Sequence, residues 1–173
     1  MRVTRWHLAM TDPGQLRPAR TPEPPPEVRR VGEPFPAWSR FLYEVVGGPW
    51  HWTDRLGWSQ EAWQTFLSRP GVETWVAWDE GTPAGYYELE QRAAGEVEIL
   101  YFGLLPPYIG RGWGGHLLTH AVRRAWALGA GRVVLNTCSL DHPAALAAYQ
   151  ARGFVVEREE EYQRVMPPAR GTP

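Results

Sequence analysis

The spacing of apolar and polar residues predicts one strand and two helices in the first part of the chain. Apolar and polar residues mix over residues 3–10, which form a candidate first strand. Over residues 35–46, large apolar residues recur at intervals of three and four, the period of a helix with one buried face. A second helix is predicted to begin near Ser59, whose hydroxyl can cap the first turn, and to end before Pro70.

The second part of the chain predicts a three-stranded antiparallel meander followed by alternating helices and strands. Runs rich in β-branched and aromatic residues are separated there by short turn-forming sequences at 79–83 and 93–95. The predicted elements are, in order, strands at 73–78, 84–91 and 96–105, a helix through 117–126, a strand at 132–137, a helix at 143–151, and strands at 153–157 and 162–166.

A proline-rich segment at residues 11–36 separates the first strand from the first helix. Proline removes a backbone donor and disfavours helix interiors, so the segment predicts an extended connection on the surface. A connection of this length is expected to wrap the domain or to be partly mobile. Because no internal repeat and no linker between two cores is evident, we expect one domain over residues 1–173.

Composition narrows the class of protein. The 173 residues are 43% apolar and 21% charged with a formal net charge of −1, ordinary values for one globular domain. That charge predicts no general attraction to nucleic acid or anionic membranes, and no apolar stretch approaches the ~20 residues that span a bilayer. The lone Cys138 cannot form an internal disulfide. We therefore expect a cytoplasmic protein.

A glycine-rich loop between a strand and a long amphipathic helix is the main candidate for chemistry. Glycines let backbone amides approach a ligand, and a helix amino terminus favours anions, so residues 109–115 suit a pyrophosphate. The loop lacks the Gly-Lys-Ser/Thr of a P-loop and the G-x-G-x-x-G spacing of a dinucleotide fold. The alternative interpretation is a tight strand-to-helix turn with no ligand.

Two stretches of the chain resemble the GNAT superfamily of acyl-CoA-dependent N-acetyltransferases. Residues 98–118 resemble the acetyl-CoA core, whose signature Gln/Arg-x-x-Gly-x-Gly/Ala finds its glycines at Gly112 and Gly114, with Ile109 at the Gln/Arg position. Residues 142–154 resemble the family's Asn-x-x-Ala-x-x-x-Tyr-x-x-x-Gly-Phe, with His142 at the Asn position. The resemblance covers roughly residues 74–166, the predicted acetyl-CoA-binding core.

The resemblance implies an α/β fold with a mixed, mostly antiparallel sheet of six to seven strands flanked by about four helices. It also implies acetyl-CoA as cosubstrate, without a metal, and a small-molecule amine as acceptor, with the protein acting as a monomer or homodimer. The implied cofactor-binding residues are Phe102, Gly103, Leu104, Ile109, Gly110, Arg111, Gly112, Trp113, Gly114, Gly115 and His142. A backbone N–H near Phe102–Leu104 would polarise the thioester, with Gly103 easing a bend of the strand.

The resemblance also implies a general base at Glu98 and a proton donor for the leaving thiolate at Tyr149. Period-two alternation along the strand predicts that Glu98 and Phe102 face the same side. Glu88 and Glu90 on the neighbouring strand are rival bases, and a solvated Glu98 is the alternative. For Tyr149 the alternative is an aromatic residue that only packs.

A tryptophan-rich stretch between the two first helices is the candidate acceptor site. The implied acceptor-binding residues are Trp50, Trp52, Asp54, Arg55 and Trp58, which suit an amine with an apolar, amino-acid-like body. The alternative is that the tryptophans fill the core and that Asp54 pairs with Arg55. Two other features favour structural roles: His116 and His120 lack a third metal ligand, and Cys138 lacks a base partner.

Three functions fit these observations. The leading one is acetylation of a small amine, because Glu98 and Tyr149 are both present. The second is a non-catalytic acyl-CoA-binding regulatory module. The third is acetylation of protein lysines or N-termini, which the aromatic N-terminal half fits less well than a small ligand.

Overall fold

The computed structural model describes residues 1–165, which form seven strands and four α-helices. The strands are β1 (Arg2–Met10), β2 (Glu27–Arg30), β3 (Val72–Asp79), β4 (Thr82–Gln91), β5 (Glu96–Leu104), β6 (Arg132–Cys138) and β7 (Val155–Gln163). The helices are α1 (Pro36–Gly47), α2 (Gln60–Leu67), α3 (Trp113–Ala127) and α4 (Ala145–Ala151). No helix within residues 1–165 has the length and apolar character needed to cross a membrane.

All seven strands lie in one sheet, in the order β2-β3-β4-β5-β6-β1-β7. Neighbouring strands are antiparallel except β5 and β6, which run parallel. The parallel pair is the one that α3 connects, as parallel neighbours require a crossover. The predicted mixed, mostly antiparallel sheet of six to seven strands with about four helices is confirmed.

Helices cover the sheet on two faces. The α3 face carries the larger core, in which Leu117 and Val122 of α3 pack with Leu89 and Ile99 of the sheet. The α1 face carries two smaller clusters, built by α1 and α2 against β3, β4 and β5. Because each helix has one apolar stripe, each buries it against one face of the sheet.

The predicted helix limits agree with the structure to within about two residues, except that α3 begins at Trp113, four residues before the predicted stripe at 117–126. Pro36 occupies the first turn of α1, where its fixed φ suits a helix start, and the Ser59 hydroxyl caps α2 by accepting from Ala62 N–H. Helix α4 begins at Ala145 rather than at Pro143, because the preceding residues form a turn in which Ala144 N–H donates to the His142 ring.

The proline-rich segment is more structured than the sequence predicts. Its residues 27–30 form β2, which pairs with β3 at the edge of the sheet, where a neighbouring proline costs no ladder hydrogen bond. Before β2 the segment crosses the α3 face: Arg17 N–H donates to Arg152 O, and Ala19 N–H donates to Thr119 Oγ1. The segment therefore wraps the domain, one of the two predicted alternatives.

The two predicted closing strands are one continuous strand, β7. The sequence prediction stopped at Glu157 because the following residues are charged, but an edge strand tolerates charges on its open side. Glu160 and Glu161 of this run lie beside arginines of β1, which is the antiparallel partner. Met166, the predicted end of the last strand and of the cofactor core, lies outside the described residues.

Candidate active site

A cavity of about 540 Å³ opens where β5 and β6 diverge. The two strands pair over only three positions, residues 96–98 with 132–134, and then separate. Beyond that point β5 remains with β4 as far as Leu104, while β6 remains with β1 as far as Cys138. In the wedge between them, backbone groups are exposed that would be hydrogen-bonded to a neighbouring strand in a continuous sheet.

A β-bulge at Leu100 redirects the side chains of β5. From Ile99 to Tyr101 this strand advances two residues while its partner β4 advances one, so Leu100 has no partner. Opposite residues of an antiparallel pair share a face, which puts Glu98 on the α1 face with Tyr101 and puts Phe102 on the α3 face. The prediction that Glu98 and Phe102 face the same side is therefore wrong, because simple alternation does not continue through a bulge.

The end of β5 presents two backbone N–H groups to the wedge. Leu105 N–H donates to Ala84 O of the neighbouring strand segment. Because successive N–H groups of a strand point in opposite directions, those of Phe102 and Leu104 point towards the wedge. The Phe102 ring packs edge-on to Tyr149 of α4, with 6.1 Å between centroids.

Gly103 is small because α1 passes close to β5. A Cβ added there would lie 2.5 Å from Val46 Cγ1, closer than real side chains approach. The irregularity of β5 that the strand pairing records lies at Leu100, three residues before Gly103. Gly103 therefore sets the distance between α1 and the wedge.

The glycine loop places the N-terminus of α3, which has no side-chain cap, at the cavity. Gly110 and Gly112 have φ of 83° and 80°, a region that favours glycine. Gly112 is the N-cap of α3 and supplies no capping side chain, so the first N–H groups of α3 have no side-chain cap. Ile109, Gly110, Gly112, Gly114 and Gly115 all line the cavity.

The other predicted cofactor residues divide into two groups. His142 lines the cavity, as do Phe102, Gly103 and Leu104. Arg111 and Trp113 do not line it and instead surround the Tyr108 ring, at 5.4 Å and 5.2 Å. These two residues support the shape of the loop.

Glu98 lies on the cavity wall and is 6% exposed. Its Oε1 accepts a hydrogen bond of 3.3 Å from Asn136 Nδ2, and its Oε2 lies beside the Arg92 guanidinium. Burial raises the pKa of Glu98; Arg92 opposes this shift, and the charges of Glu90 and Glu96 add to it. The carboxyl can therefore gain and lose a proton closer to neutral pH than an ordinary glutamate.

Tyr149 lies at the opposite side of the wedge, on α4. Its side chain is buried against Phe102 and Phe154, and it lines the cavity. Burial raises the pKa of the Tyr149 phenol well above its usual value, and the nearby charge of Asp141 adds to the shift. The phenol therefore stays protonated over the physiological range and can donate a hydrogen bond.

The segment between α1 and α2 covers the cavity from the α1 face. Trp50 packs edge-on against the His142 ring, 5.0 Å between centroids, and Trp52 Nε1 donates to Asp141 Oδ1 at 3.4 Å. Trp50, Trp52 and the exposed Asp54 line the cavity. The segment therefore joins the α1 side of the cavity to the β6–α4 connection.

Arg55 and Trp58 of the same segment are part of the core under α2. Arg55 is 4% exposed and pairs with Glu88, at 2.6 Å and 3.0 Å, rather than with Asp54. Its guanidinium contacts four aromatic rings at 4.2–5.3 Å, those of Trp58, Trp63, Phe66 and Tyr101. Arg55 reaches the cavity wall, whereas Trp58 does not.

The rival bases are both engaged elsewhere. Glu88 is 1% exposed and is held by Arg55. Glu90 pairs with Arg69 at 2.6 Å, and neither glutamate lines the cavity. Of the three candidate carboxylates on β4 and β5, Glu98 is the one that faces the cavity.

The two histidines and the cysteine that the sequence offered as possible site residues are all partly buried. His120 hydrogen-bonds the Tyr87 hydroxyl at 2.9 Å, and burial lowers the pKa of both His116 and His120. Over residues 1–165, no cluster of three His, Cys, Asp or Glu side chains could hold a metal ion. Cys138 is half-buried on the cavity wall, and burial raises the pKa of its thiol.

Sequence reasoning missed Arg5, Asn136, Asp141 and Arg164, which also line the cavity. Arg5 lies on β1 and Arg164 follows β7, far from the recognisable motifs. Only Asp141 had a signal, since it directly precedes the second motif stretch. The order of strands in the sheet brings Arg5, Asn136 and Arg164 to the site, and no local sequence pattern reveals that order.

Comparison with known proteins agrees with this geometry. Residues 36–154 match the model of the acetyltransferase (GNAT) family, more than half of the chain. A mycothiol acetyltransferase of Corynebacterium efficiens is 30% identical over 123 residues, which are 66% of this chain and 40% of that protein. The chain thus spans about two fifths of the length of this relative.

Solved structures share the fold. A GCN5-related N-acetyltransferase from Sphaerobacter thermophilus aligns with a TM-score of 0.69 at 21% identity, over 91% of this chain and 49% of that one. An acetyltransferase from Bacillus subtilis, determined in complex with CoA, aligns with a TM-score of 0.60 at 21% identity, over 77% of this chain and 78% of that one. At these identities the structures support the fold.

Proposed function

The chain belongs to the acetyltransferase (GNAT) family, and from this membership we propose that it transfers an acetyl group from acetyl-CoA to the amine of a small acceptor by direct attack. One observation carries the proposal. The wedge between β5 and β6, the uncapped start of α3, and the side chains of Glu98 and Tyr149 all meet in one cavity.

The loop and the helix start fit the pyrophosphate of acetyl-CoA. The N–H groups that follow Gly112 have no side-chain cap, and the first turn of α3 contains no acidic residue that would repel an anion. Gly114 keeps open the space towards the wedge, since an added Cβ would meet only Leu104, at 3.6 Å. When bound, acetyl-CoA would supply the activated thioester.

The N–H groups of Phe102 and Leu104 are the candidates for polarising a carbonyl in the wedge. They point away from β4, so they form no hydrogen bond with that strand. A fixed donor of this kind stabilises the oxyanion of an acyl-transfer transition state, and removing one typically costs about 10²–10³ in rate. Backbone donors cannot be deleted by side-chain substitution, so this role is tested through neighbouring residues.

Glu98 is the proposed acceptor of the amine's proton. It precedes Phe102 by four residues that span three residues of β4, about 10 Å, so we infer that ordered water relays the proton. Its raised pKa matches it better to an amine than an ordinary carboxylate would. Asn136 and Arg92 hold the carboxylate in place.

Tyr149 is proposed to stabilise the departing thiolate. A CoA thiolate resembles a cysteine thiolate of pKa near ~8.5, whereas burial raises the pKa of Tyr149 above its usual value. Complete proton transfer is then uphill, and a hydrogen bond from the phenol to sulfur is the contribution that the surroundings favour. The predicted proton donor becomes in this proposal a hydrogen-bond donor.

The acceptor is proposed to enter from the α1 face, where Trp50, Trp52 and Asp54 line the cavity. These aromatic walls suit a small amine with an apolar or amino-acid-like body. Arg55 is proposed to position this segment through Glu88. The expected cytoplasmic location and the monomeric or homodimeric state remain predictions.

A thiol-release assay tests the function. Purified protein with acetyl-CoA should release free CoA thiol when amines, amino acids, polyamines and peptides are supplied as acceptors. Release with small acceptors supports the proposal, whereas release only with peptides assigns protein acetylation. Binding of acetyl-CoA without release for any acceptor would identify a regulatory module.

A further inference from the structure

Two oppositely charged side chains, Arg5 and Asp141, flank Cys138 on the cavity wall. Arg5 is the direct partner of Cys138 across the β1–β6 pair, so their Cβ atoms are about 5 Å apart. Asp141 Oδ2 accepts a hydrogen bond of 3.0 Å from Cys138 N–H. Burial raises the pKa of the Cys138 thiol, and that thiol also feels the opposing charges of Asp141 and Arg5.

Within residues 1–165, three arginines line the cavity, and two of them are committed to the protein. Arg55 donates two hydrogen bonds to the buried Glu88. Arg164 donates from Nη2 to the backbone carbonyl of His51 and to Thr53 Oγ1, and thereby ties the tryptophan-rich segment to the end of β7. These two guanidinium groups hold the walls together, which leaves Arg5 as the candidate ligand for an anion.

Among the residues that the structure describes, Arg5 has only long polar contacts. It lies 3.3 Å from Tyr162 Oη and 3.8 Å from Glu160, and its guanidinium lies over the Tyr162 ring at 4.8 Å. Glu160 has closer partners, His7 at 2.9 Å and Arg158 at 3.3 Å. The Tyr162 ring therefore orients a guanidinium whose charge is only partly neutralised.

On the other side of Cys138 lies Asp141, an acidic side chain. Thr137 Oγ1 donates to its Oδ2 at 2.6 Å, which fixes the carboxylate, while Oδ1 has only the 3.4 Å contact with Trp52. Within residues 1–165, Asp141 forms no ion pair with a cationic side chain, and the acid paired with Arg5 is Glu160. The Trp52 ring extends from Asp141 to within 3.9 Å of the Cβ position of Gly103, so this ring lies between Asp141 and the end of β5.

We propose that Arg5 and Asp141 form a subsite for an α-amino acid, in which Arg5 binds the carboxylate and Asp141 binds the ammonium group as it arrives. The proton of that ammonium group then passes through ordered water to Glu98, and the neutral amine attacks the thioester. The proposal rests on the proposed function and specifies its acceptor class. In an amino acid the nitrogen and the carboxyl carbon are about 2.5 Å apart. With charge-assisted hydrogen bonds of about 2.8 Å at each end, the two protein charges would be roughly 8 Å apart. Side chains that flank a single residue of β6 can span this distance.

Matched acceptor pairs test the proposal. Each pair has the same side chain with and without the carboxylate: phenylalanine and phenethylamine, leucine and isoamylamine, alanine and ethylamine. Wild-type protein should acetylate the amino acid of at least one pair with a kcat/KM at least about tenfold above that of its amine, since a hydrogen bond to a charged group is worth about 1.5–3 kcal/mol.

Arg5→Gln should abolish this preference, because it should lower the kcat/KM of the amino acid about tenfold more than that of the decarboxylated amine. The matched control is Arg2→Gln on the same strand, whose side chain is 70% exposed and pairs with Glu161; it should retain the preference. Asp141→Asn should raise the amino-acid KM without changing the Kd for acetyl-CoA. Thr137→Val removes a hydrogen bond to the same carboxylate but keeps its charge, and should have the smaller effect.

The outcomes separate this inference from the proposed function. Equal use of the two members of every pair, turnover confined to amines without a carboxylate, or a preference that persists in Arg5→Gln overturns the subsite and leaves the acetyltransferase function standing. An effect of Thr137→Val equal to that of Asp141→Asn assigns Asp141 a structural role and removes it from the subsite. Failure of every acceptor despite acetyl-CoA binding overturns the function itself.

Discussion

Arg55 donates two hydrogen bonds to the carboxylate of Glu88 in a part of the core where both side chains are almost completely buried. The pair joins the tryptophan-rich segment to the central strand β4. Arg55 N–H also donates to the Tyr43 hydroxyl of α1 at 3.2 Å. Arg55 therefore connects the wall of the cavity to two elements of the core.

We expect Glu88→Gln to destabilise the fold strongly. It leaves a buried guanidinium without its counter-charge, and breaking a buried pair on one side costs roughly 3–5 kcal/mol. Chemical denaturation measures the change in unfolding free energy. Glu44→Gln is the control, because Glu44 pairs with Arg40 on the exposed side of α1 and such pairs contribute at most about 0.5 kcal/mol. Equal effects of the two variants would show that the buried pair does not hold the segment.

Gly114→Ala should weaken acetyl-CoA binding without destabilising the protein. Its backbone φ is not positive, and the new methyl group meets only Leu104 Cδ1, at an ordinary distance of 3.6 Å. Alanine favours the helix by roughly 0.5–1 kcal/mol, whereas a methyl group obstructing one amide–pyrophosphate contact costs about 1.5 kcal/mol or more. Calorimetry with acetyl-CoA and a thermal melt measure both effects.

Neighbouring glycines serve as contrasts in that experiment. Gly112 has positive φ, so a substitution there strains the backbone. A loss of acetyl-CoA affinity in such a variant could not be separated from a loss of folding stability. At Gly115 an added Cβ would lie 2.9 Å from Ala19 Cβ, so Gly115→Ala should disturb the proline-rich segment as well. Unchanged acetyl-CoA affinity in a folded Gly114→Ala protein would contradict the pyrophosphate assignment.

Glu98→Gln should lower kcat by roughly 10²–10⁴ near neutral pH. A base must be ionised to act, and burial raises the pKa of Glu98, so the wild-type rate should fall with decreasing pH from a point above the ordinary glutamate value near ~4.3. The variant should lack this acidic limb, and its deficit should shrink at high pH, where more acceptor is already neutral. If the variant keeps full activity over the whole pH range, the proton leaves by another route.

Tyr149→Phe should lower kcat while preserving the affinity for acetyl-CoA. The ring keeps its packing against Phe102 and Phe154, and only the phenol donor is lost. Because the pKa of Tyr149 is raised, the wild-type rate should show no loss from tyrosine ionisation below about pH 10. Steady-state kinetics and calorimetry separate the two parameters. Wild-type kcat in Tyr149→Phe would leave this residue with a packing role.

Trp50→Ala and Trp58→Ala should affect different properties. Trp50 lines the cavity beside His142, so its loss should raise the acceptor KM with little change in stability. Trp58 packs on Arg55 and Trp63 away from the cavity, so its loss should cost about 3 kcal/mol of unfolding free energy. Kinetics beside a thermal melt for each variant checks the contrast, and a reversal of the two effects would refute these placements.

Local patterns were sufficient to predict most of the fold. The period of α1, the hydroxyl cap of α2 and the meander of β3, β4 and β5 all depend on neighbouring residues, and all are confirmed. The strand β2 was missed because its proline-rich surroundings favour coil, and only pairing with β3 makes it a strand. The pairing of β2 with β3 therefore outweighs the local preference of its residues for coil.

The site was less accessible to sequence reasoning because contacts between distant segments build it. The bulge at Leu100 reverses the expected side of Phe102 relative to Glu98, and alternation alone gives no sign of a bulge. Arg55 and Glu88 are 33 residues apart and their pairing has no local signal. Arg5 reaches the cavity only because β1 lies beside β6.

The position of β1 in the sheet also constrains how the protein is made. β1 lies between β6 and β7, and its Arg2 pairs with Gln163 near the far end of the chain. During translation at roughly 5–20 residues per second, the first strand must therefore wait on the order of ten seconds or more for its partners to be synthesised. Until then β1 has two open edges, and an open strand edge can pair with another chain.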